Sequence, residues 1–489
     1  MLNVSSLPGK FGIGGFSADA EKFLDEARGM GFKVWQTLPI TATGLGDSPY
    51  SGVSSFAGNY MYVDPERLDN LVTYEEVNAI RYNGEIYLTD YGYARWAKRQ
   101  ILEKAFSRVT DEIREEMRTF AEENAYWLPD YAAFMTLKDR HEGKSWIEWE
   151  EKYRAYSVAL RDEILQDNAA QYYIFEQYIF FKQWKRIHVY ANNYGIDVFG
   201  DLPIYVSLDS VDVWAHTDLF MLDKNYRPKE VAGVPPDYFA ENGQLWGNPL
   251  YDYKKMAKDG YKWWVERLKH ALSLYDILRI DHFRGLYEYW AVPAGETTAK
   301  NGKWCKGPRT AIFEELKKVM PEHNIVAEDL GLVDEKVAQF LEKCGYCGMR
   351  VMQFGFDGDP LNKHLPHNFV QNSVAYTGTH DNDTTLGWLL SLDHNTRLNA
   401  LEYVDCDADY GWASGGGHCR ATRAFIRSLF SSCAYLAIVP MQDLCGYGSD
   451  TRMNVPGQAE GCWRYRTNYG AIDNIDRDYI RNLIRIYGR

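Results

Sequence analysis

The sequence predicts an α/β fold in which eight parallel strands close into a barrel surrounded by helices. Short apolar, β-branched runs recur along the chain with helical patterns between them, which is typical of parallel strands joined by helices. Acidic residues follow three of these runs, and chemistry placed after several separate strands favours a closed barrel. We predict strands near residues 1–4, 32–40, 196–206, 275–281, 324–329, 348–355, 373–379 and 434–440.

An open doubly wound sheet is the alternative architecture, because it also accommodates eight strands. Such sheets bind nucleotides through glycine-rich phosphate loops. Residues 12–15 are rich in glycine but lack the full glycine spacing and a complete preceding strand, so they predict a turn. The closed barrel is therefore the preferred prediction.

Two long segments interrupt the pattern of alternating strands and helices. Residues 62–190 are rich in helix formers and predict a helical insertion beside the barrel. Residues 207–258 combine prolines with aromatic side chains and predict a loop insertion over a substrate groove, with a plain surface loop as the alternative. We predict one catalytic domain, residues 1–489, that contains both insertions.

The composition limits the partners of this chain. The 54 Lys and Arg residues against 68 Asp and Glu give a net charge of −14, which disfavours nucleic acid and anionic membranes. The 36 Tyr, 15 Trp and 22 Phe residues suit the apolar faces of sugar rings, although a large core also uses them. No segment approaches the roughly 20 apolar residues of a membrane span, and the amino terminus lacks a signal pattern. We expect a cytoplasmic protein.

The cysteine and histidine patterns favour neither a metal site nor a disulfide framework. Eight cysteines are scattered, and the pair Cys344 and Cys347 lacks the second ligand pair that a zinc site requires. We therefore expect free, buried or half-buried thiols in a reducing compartment. His282 and His380 have no His-x-x-x-His pattern, so contacts with substrate or carboxylates are the preferred interpretation. We predict no metal and no cofactor.

The three acids after strands are candidates for catalysis of glycosidic bond cleavage. That reaction uses one protonated carboxyl to release the leaving oxygen and one carboxylate that faces the anomeric carbon. Asp281 suits the nucleophile because its short side chain stays close to the strand, and Glu328 suits the acid, although side-chain length alone leaves the assignment open. Arg279 lies on the same face of the strand as Asp281, and an adjacent cation favours the ionised carboxylate. Asp381, beside His380, is placed to bind sugar hydroxyls.

These residues belong to a set of motifs that resembles a known family. The set extends over nearly the whole chain and is highly specific, although RIDHFRG alone indicates only a broader clan. The motifs are SSLPGKFGIG, GDSPY, SSFAGN, GDLPIYV, PPDYF, LWGNPLYD, RIDHFRG, AEDLG, GTHDND, VPMQDL and RMNVPGQAEG. On these motifs the chain resembles the amylomaltases or disproportionating enzymes, which are 4-α-glucanotransferases of the α-amylase clan.

The resemblance implies a (β/α)8 barrel without a separate C-terminal β-domain, and a first strand that is shortened because family members have a longer lead-in. It implies Asp281 as nucleophile, Glu328 as general acid and base and Asp381 as transition-state stabiliser. Maltooligosaccharides or other α-1,4-glucans are the implied donors and acceptors. The implied substrate-binding residues are Arg279, His380, Asp201, Tyr50, Asp237, Tyr238, Phe239, Trp246 and Asn454.

The predicted reaction is transfer of glucan segments through a covalent glucosyl ester on Asp281, with retention. An α-glucan hydrolase with the same three acids is the first alternative, because water competes with a sugar hydroxyl for the ester. A catalytically silent glucan-binding protein is the second alternative, and the presence of all three acids argues against it. For the transferase, Asp281 and Glu328 are expected to face each other about 5 to 5.5 Å apart.

Overall fold

The parallel strands predicted from the sequence are present, apart from the first. The computed structural model describes residues 1–44, 46–236, 241–331, 335–458 and 460–489. Seven of the eight predicted positions contain a parallel strand. The strands of the described residues are β1 (Val34–Gln36), β2 (Asp197–Leu202), β3 (Glu230–Val234), β4 (Gln244–Pro249), β5 (Ile277–Ile280), β6 (Glu288–Pro293), β7 (Lys303–Lys306), β8 (Ile325–Ala327), β9 (Gly348–Val351), β10 (Ser373–Tyr376) and β11 (Leu436–Ile438).

Helices precede and follow most of the parallel strands, as the α/β prediction requires. In the described part of the chain, none of them combines the length and the apolar character of a membrane span. The α-helices are α1 (Ala18–Met30), α2 (Tyr74–Ala79), α3 (Tyr91–Phe106), α4 (Asp111–Glu123), α5 (Leu128–Arg140), α6 (Glu151–Arg154), α7 (Val158–Ile164), α8 (Asn168–Asn193), α9 (Val211–Ala215), α10 (Tyr253–Met256), α11 (Lys262–Leu274), α12 (Ala311–Val319), α13 (Glu335–Cys344), α14 (Thr385–Ser391), α15 (His394–Tyr403), α16 (Arg420–Ser431), α17 (Met441–Leu444), α18 (Tyr469–Asp473) and α19 (Arg477–Tyr487).

The parallel strands are hydrogen bonded to one another in sequence order. One sheet has the order β1, β2, β5, β8, and another has the order β9, β10, β11. The two sheets meet at the end of β8, where Ala327 N donates to Cys347 O at 2.8 Å. At their other edges, Met1 N donates to Val439 O at 2.7 Å, and Leu2 N donates to the last residue of β1 at 2.9 Å. The amino-terminal residues therefore lie between β11 and β1.

The prediction of a strand at residues 1–4 is wrong. The Asn3 side chain accepts a hydrogen bond from Val4 N at 2.9 Å, and this cap begins the 3-10 helix Val4–Ser6. Side chains of this kind compete with strand pairing for backbone hydrogen bonds. As a result, the contacts to neighbouring strands are made by Met1 and Leu2.

The segment between β1 and β2 contains helices α2 to α8. Helix α8 is the longest of its helices at 26 residues, and it contacts both α1 and β2. Gln177 of this helix exchanges two hydrogen bonds with Gly58, whose N donates at 2.7 Å and whose O accepts at 3.0 Å. Side chains of α8 belong to the same hydrophobic core as β1 and β2, so the helical segment packs directly against the strands.

The third sheet is antiparallel, and the sequence did not predict it. It has the order β4, β3, β6, β7, and β3 and β4 lie in the segment predicted as a loop insertion. The pairing of β3 with β4 shifts register between Val231 and Gly233. Glycine and proline at these positions weaken the alternating pattern that signals a strand, which explains why the segment resembles a loop in sequence.

Candidate active site

Asp281 and Glu328 follow two paired strands. Ile280 of β5 is the register partner of Ala327 of β8, so the next residue of each strand is a carboxylic acid at the same edge. His282 adopts a left-handed conformation with φ 46 and ψ 47, and its N donates to Glu328 Oε2 at 2.8 Å. The turn after β5, which begins with Asp281, therefore contacts Glu328 and keeps the two predicted catalytic acids near each other.

A buried arginine connects two of the predicted acids. Arg279 Nη1 donates to both carboxylate oxygens of Asp201, at 2.8 and 2.6 Å, and Arg279 Nη2 donates to Asp281 Oδ1 at 2.7 Å. Burial lowers the pKa of Arg279, but the carboxylates of Asp201 and Asp281 outweigh burial and raise it well above its ordinary value. This arginine is a fixed cation, and it contacts the proposed nucleophile directly.

Tyr50 completes the buried side of the site. Its hydroxyl donates to Asp201 Oδ2 at 2.7 Å, and its ring stacks on His380 with centroids 5.2 Å apart. Burial raises the pKa of Asp201, against the opposing effect of Arg279. Tyr50 and Asp201 line a pocket together with Tyr205 and Val206. The predicted residues Arg279, Asp201, Tyr50 and His380 are thus brought together.

The environment of Glu328 favours its protonated form. Burial raises the pKa of Glu328 to about 8, and the charge of Asp281 adds to the increase. Arg279 and the Leu330 amide, which donates to Glu328 Oε1 at 2.8 Å, act in the opposite direction. A carboxyl that is neutral at pH 7 beside a half-buried carboxylate is the arrangement that general acid catalysis requires.

The third predicted acid is positioned by residues near the carboxyl end of the chain. Asn454 Nδ2 donates to Asp381 Oδ1 at 2.6 Å, and Arg452 Nη2 donates to Asp381 O at 2.7 Å. His380 Nε2 lies 3.5 Å from Asp381 Oδ2. The side chain of Asp381 is 46% exposed, so it remains accessible to a ligand while its backbone is held.

Trp246 lies on β4 and faces the turn after β5. Its ring meets the His282 ring edge to face at 4.9 Å and lies 6.1 Å from the Tyr205 ring. Burial lowers the pKa of His282 to about 4, so this imidazole is neutral at pH 7. The other predicted groove residues, Asp237, Tyr238 and Phe239, lie outside the described residues.

Sequence reasoning missed three side chains of the site. Trp463 lies 5.7 Å from the Tyr50 ring and 5.9 Å from the His380 ring, and it buttresses both. Arg452 and Tyr205 are the other two. Arg452 lies two residues before Asn454 in the RMNVPGQAEG motif, and this spacing is the signal in the sequence that points to it. Tyr205 lies in the GDLPIYV motif, but no pattern distinguishes a groove tyrosine from a core tyrosine.

Neither metal ligation nor disulfide bonding is seen at the described residues. No group of three or more His, Cys, Asp or Glu side chains in them is arranged to hold a metal ion. All eight cysteines are free thiols. Cys344 ends α13 and is buried, and Cys347 precedes β9 and is half-buried, which confirms the predicted burial of this pair.

Known proteins resemble the chain over its whole length. A family model described as 4-alpha-glucanotransferase matches residues 2–471. A 4-alpha-glucanotransferase from Clostridium butyricum is 40% identical over 496 residues, covering 100% of this chain and 100% of the relative. The 4-alpha-glucanotransferase from Aquifex aeolicus is also 40% identical, over 100% of this chain and 98% of the relative. The solved amylomaltase from Streptococcus agalactiae in complex with acarbose superposes with a TM-score of 0.94 at 33% identity, covering 100% and 98% of the two chains.

Proposed function

The chain belongs to the 4-alpha-glucanotransferase family, and on that premise we propose that it transfers α-1,4-glucan segments between maltodextrins with retention. The single observation that carries the chemistry is the pair of acids at the ends of β5 and β8. One of them, Asp281, contacts a buried arginine. The other, Glu328, has a pKa raised to about 8 by burial. One ionised and one neutral carboxyl beside each other suit a double displacement.

In the first step, Asp281 attacks the anomeric carbon of the donor glucan. The bond between that carbon and the glycosidic oxygen breaks as the carboxylate oxygen forms an ester, and Glu328 gives its proton to the departing oxygen. The remainder of the donor leaves with a free 4-hydroxyl. Arg279 holds Asp281 in place for the attack through the 2.7 Å hydrogen bond.

In the second step, a second glucan replaces the leaving group. Glu328, now ionised, takes the proton from the 4-hydroxyl of the acceptor, and that oxygen attacks the anomeric carbon. The ester bond to Asp281 breaks and the carboxylate is restored. Two inversions give net retention, and both acids return to their starting protonation states. The carboxyl groups supply the nucleophile and the proton transfers, so the proposal assigns no cofactor.

Asp381 is proposed to stabilise the transition states of both steps. Its exposed carboxylate, held by Asn454, is available to hydroxyls next to the reacting carbon. Hydrogen bonds of this kind strengthen as the ring flattens toward an oxocarbenium ion. We assign Arg279, His380, Asp201, Tyr50, Trp246 and Asn454 to the substrate site, and we extend the same role to Asp237, Tyr238 and Phe239 from the family resemblance.

We further infer that the seven parallel strands and the amino-terminal residues form the wall of a (β/α)8 barrel. The consecutive hydrogen bonds from β1 to β11, and from Met1 and Leu2 to both, support this inference. We treat residues 62–190 as a helical insertion and 207–258 as a groove insertion of one catalytic domain. The eight free thiols support a reducing, cytoplasmic location.

Incubation of the purified protein with maltotriose tests the proposed reaction. A transferase converts it to glucose and longer oligomers, while the number of reducing ends stays constant, because every broken bond is replaced. A hydrolase with the same three acids would increase the number of reducing ends. A silent binding protein would leave maltotriose unchanged. Chromatography of the product ladder and a reducing-end assay on the same samples separate the three outcomes.

A further inference from the structure

An exposed indole lies on the antiparallel sheet next to the proposed site. Trp304 of β7 is the register partner of Trp290 of β6, and cross-strand partners share one face of a sheet. The two rings meet at 67° with centroids 5.1 Å apart. Trp290 Nε1 donates to Ala299 O at 2.8 Å. This hydrogen bond fixes the Trp290 ring, and the Trp290 ring in turn orients Trp304.

A buried guanidinium covers one face of this indole. The Arg284 Cζ lies 4.1 Å from the Trp304 ring centroid, and Arg284 is 8% exposed whereas Trp304 is 38% exposed. Cation and ring attract each other in this geometry. The Trp304 ring is therefore held in place by its neighbours while part of its surface stays accessible to a ligand. Because the ring is already ordered, ligand binding costs little side-chain entropy.

The position of Arg284 connects the indole to the catalytic acids. Arg284 is the third residue after Asp281, in the same turn whose His282 amide holds Glu328. Glu328 is the acid that handles the leaving and the accepting oxygen in the proposed reaction, and Arg284 joins the Trp304 indole to the turn that holds this acid. Glu288 and Lys306, which are register partners two residues along the same face, add polar groups at the rim.

We propose that Trp304 forms an additional glucan subsite on the acceptor side, where its exposed surface packs against the apolar face of a sugar ring distant from the reacting bond. This inference rests on the proposed function. An indole with a polar rim suits a pyranose, because the ring carbons contact the aromatic face and the hydroxyls reach charged groups at the edge. The subsite would make the enzyme prefer long acceptors over short ones.

The test compares Trp304→Ala with the native protein on maltotriose and on maltoheptaose. We expect kcat/KM for maltoheptaose, relative to that for maltotriose, to fall about fivefold to tenfold, which is the effect of losing one aromatic contact. Trp304→Phe should recover part of this ratio. Tyr435→Ala is the matched control, because Tyr435 is 65% exposed and precedes β11, at the strand end opposite the acids. An unchanged ratio in Trp304→Ala would refute the subsite.

A binding measurement separates this inference from the proposed reaction. Calorimetric titration of maltoheptaose into the native protein and into Trp304→Ala, each carrying Asp281→Asn to prevent turnover, measures binding alone. Weaker binding by Trp304→Ala, with native binding by Tyr435→Ala, supports the subsite even if maltotriose is not disproportionated. Equal affinity of all three proteins for maltoheptaose overturns the subsite and leaves the proposed reaction standing. Equal melting temperatures of the variants establish that all are folded.

Discussion

Arg279 holds two carboxylates at different depths. The Asp201 side chain is 0% exposed, while the Asp281 side chain is 29% exposed. Asp201 receives two hydrogen bonds from the guanidinium and Asp281 receives one. The buried Asp201 therefore neutralises the charge of the arginine and orients its guanidinium. The more exposed Asp281 keeps a carboxylate oxygen available for substrate. This difference explains at the atomic level why Asp281, and not Asp201, is the proposed nucleophile.

Asp281→Asn should abolish transfer while glucan binding persists. An amide is not a nucleophile at this position, so we expect the rate of glucose release from maltotriose to fall at least about a thousandfold. Because asparagine preserves the shape of the side chain, affinity for maltotriose should stay within about threefold by calorimetry. The control is Asp197→Asn, at the exposed amino end of β2, which should retain activity. Native turnover by Asp281→Asn would remove this residue from the nucleophile role.

The raised pKa of Glu328 predicts how activity depends on pH. The first step needs the protonated carboxyl, and burial places its pKa at about 8. That form is present below the pKa and is lost as pH increases through it. The kcat/KM for maltotriose should therefore decline above about pH 8, approaching tenfold per pH unit. Initial rates between pH 5 and 10 measure this, with melting temperatures at each pH as the control. A decline that begins near pH 5 would contradict the assignment of Glu328 as a buried acid.

The three proposed catalytic acids were accessible to sequence reasoning because each one follows an apolar strand. Asp281, Glu328 and Asp381 each follow a recognisable run, and the parallel register then brings Asp281 and Glu328 to one edge. The contacts of Trp463 were not accessible in this way. Its ring reaches Tyr50 and His380 from a segment more than 80 residues away from either, and no local pattern records such a contact.

At the scale of elements, the register of β2 and β5 places opposite charges face to face. Asp201 of β2 is the register partner of Arg279 of β5, so the ion pair joins adjacent strands of the parallel sheet. Arg279 Nε also lies 3.4 Å from Met349 Sδ of β9. One side chain of β5 thus contacts two other strands, and its removal affects sheet stability as well as the site.

Arg279→Ala should destabilise the fold strongly. It leaves the fully buried Asp201 without its cation, and breaking a buried ion pair from one side costs about 3–5 kcal/mol. Denaturant titration followed by tryptophan fluorescence measures the loss in the free energy of unfolding. The control is Arg118→Ala, whose pair with Glu115 is 64% exposed at both side chains, and an exposed pair contributes about 0–1 kcal/mol. A loss in Arg279→Ala no larger than the control would show that Asp201 is stable without its cation.

The parallel strands could be predicted from sequence, whereas the antiparallel sheet could not. β2, β5, β8 and β10 are rich in apolar residues and buried along most of their length, and such segments are typical of strands covered on both faces. β7 is largely exposed and contains two lysines, so its pattern resembles a surface loop. The strand predicted at residues 1–4 failed for another reason, because the Asn3 cap redirects the backbone.

At the scale of the whole molecule, helix α8 connects the helical segment to the parallel sheets. Its Gln177 bonds to Gly58, and its Gln183 Oε1 accepts from Asp64 N at 2.7 Å. Both partners lie in the segment after β1 that also carries Tyr50. Trp184 of the same helix donates to Leu274 O at 3.1 Å, close to the start of β5. The helices therefore support the loop that forms one wall of the site.

This connection predicts that the helical segment and the strands unfold together. One hydrophobic core contains buried side chains from α3, α5 and α8 as well as from β1, β2 and β5. Separation of the segment would expose Trp184 and Phe180 and leave both glutamines unpaired, so a partly unfolded state is unfavourable. Differential scanning calorimetry should show one main transition. Far-UV circular dichroism and the loss of glucose release from maltotriose should share its midpoint. A helical transition at lower temperature, with transfer activity retained, would instead identify residues 62–190 as a separate folding unit.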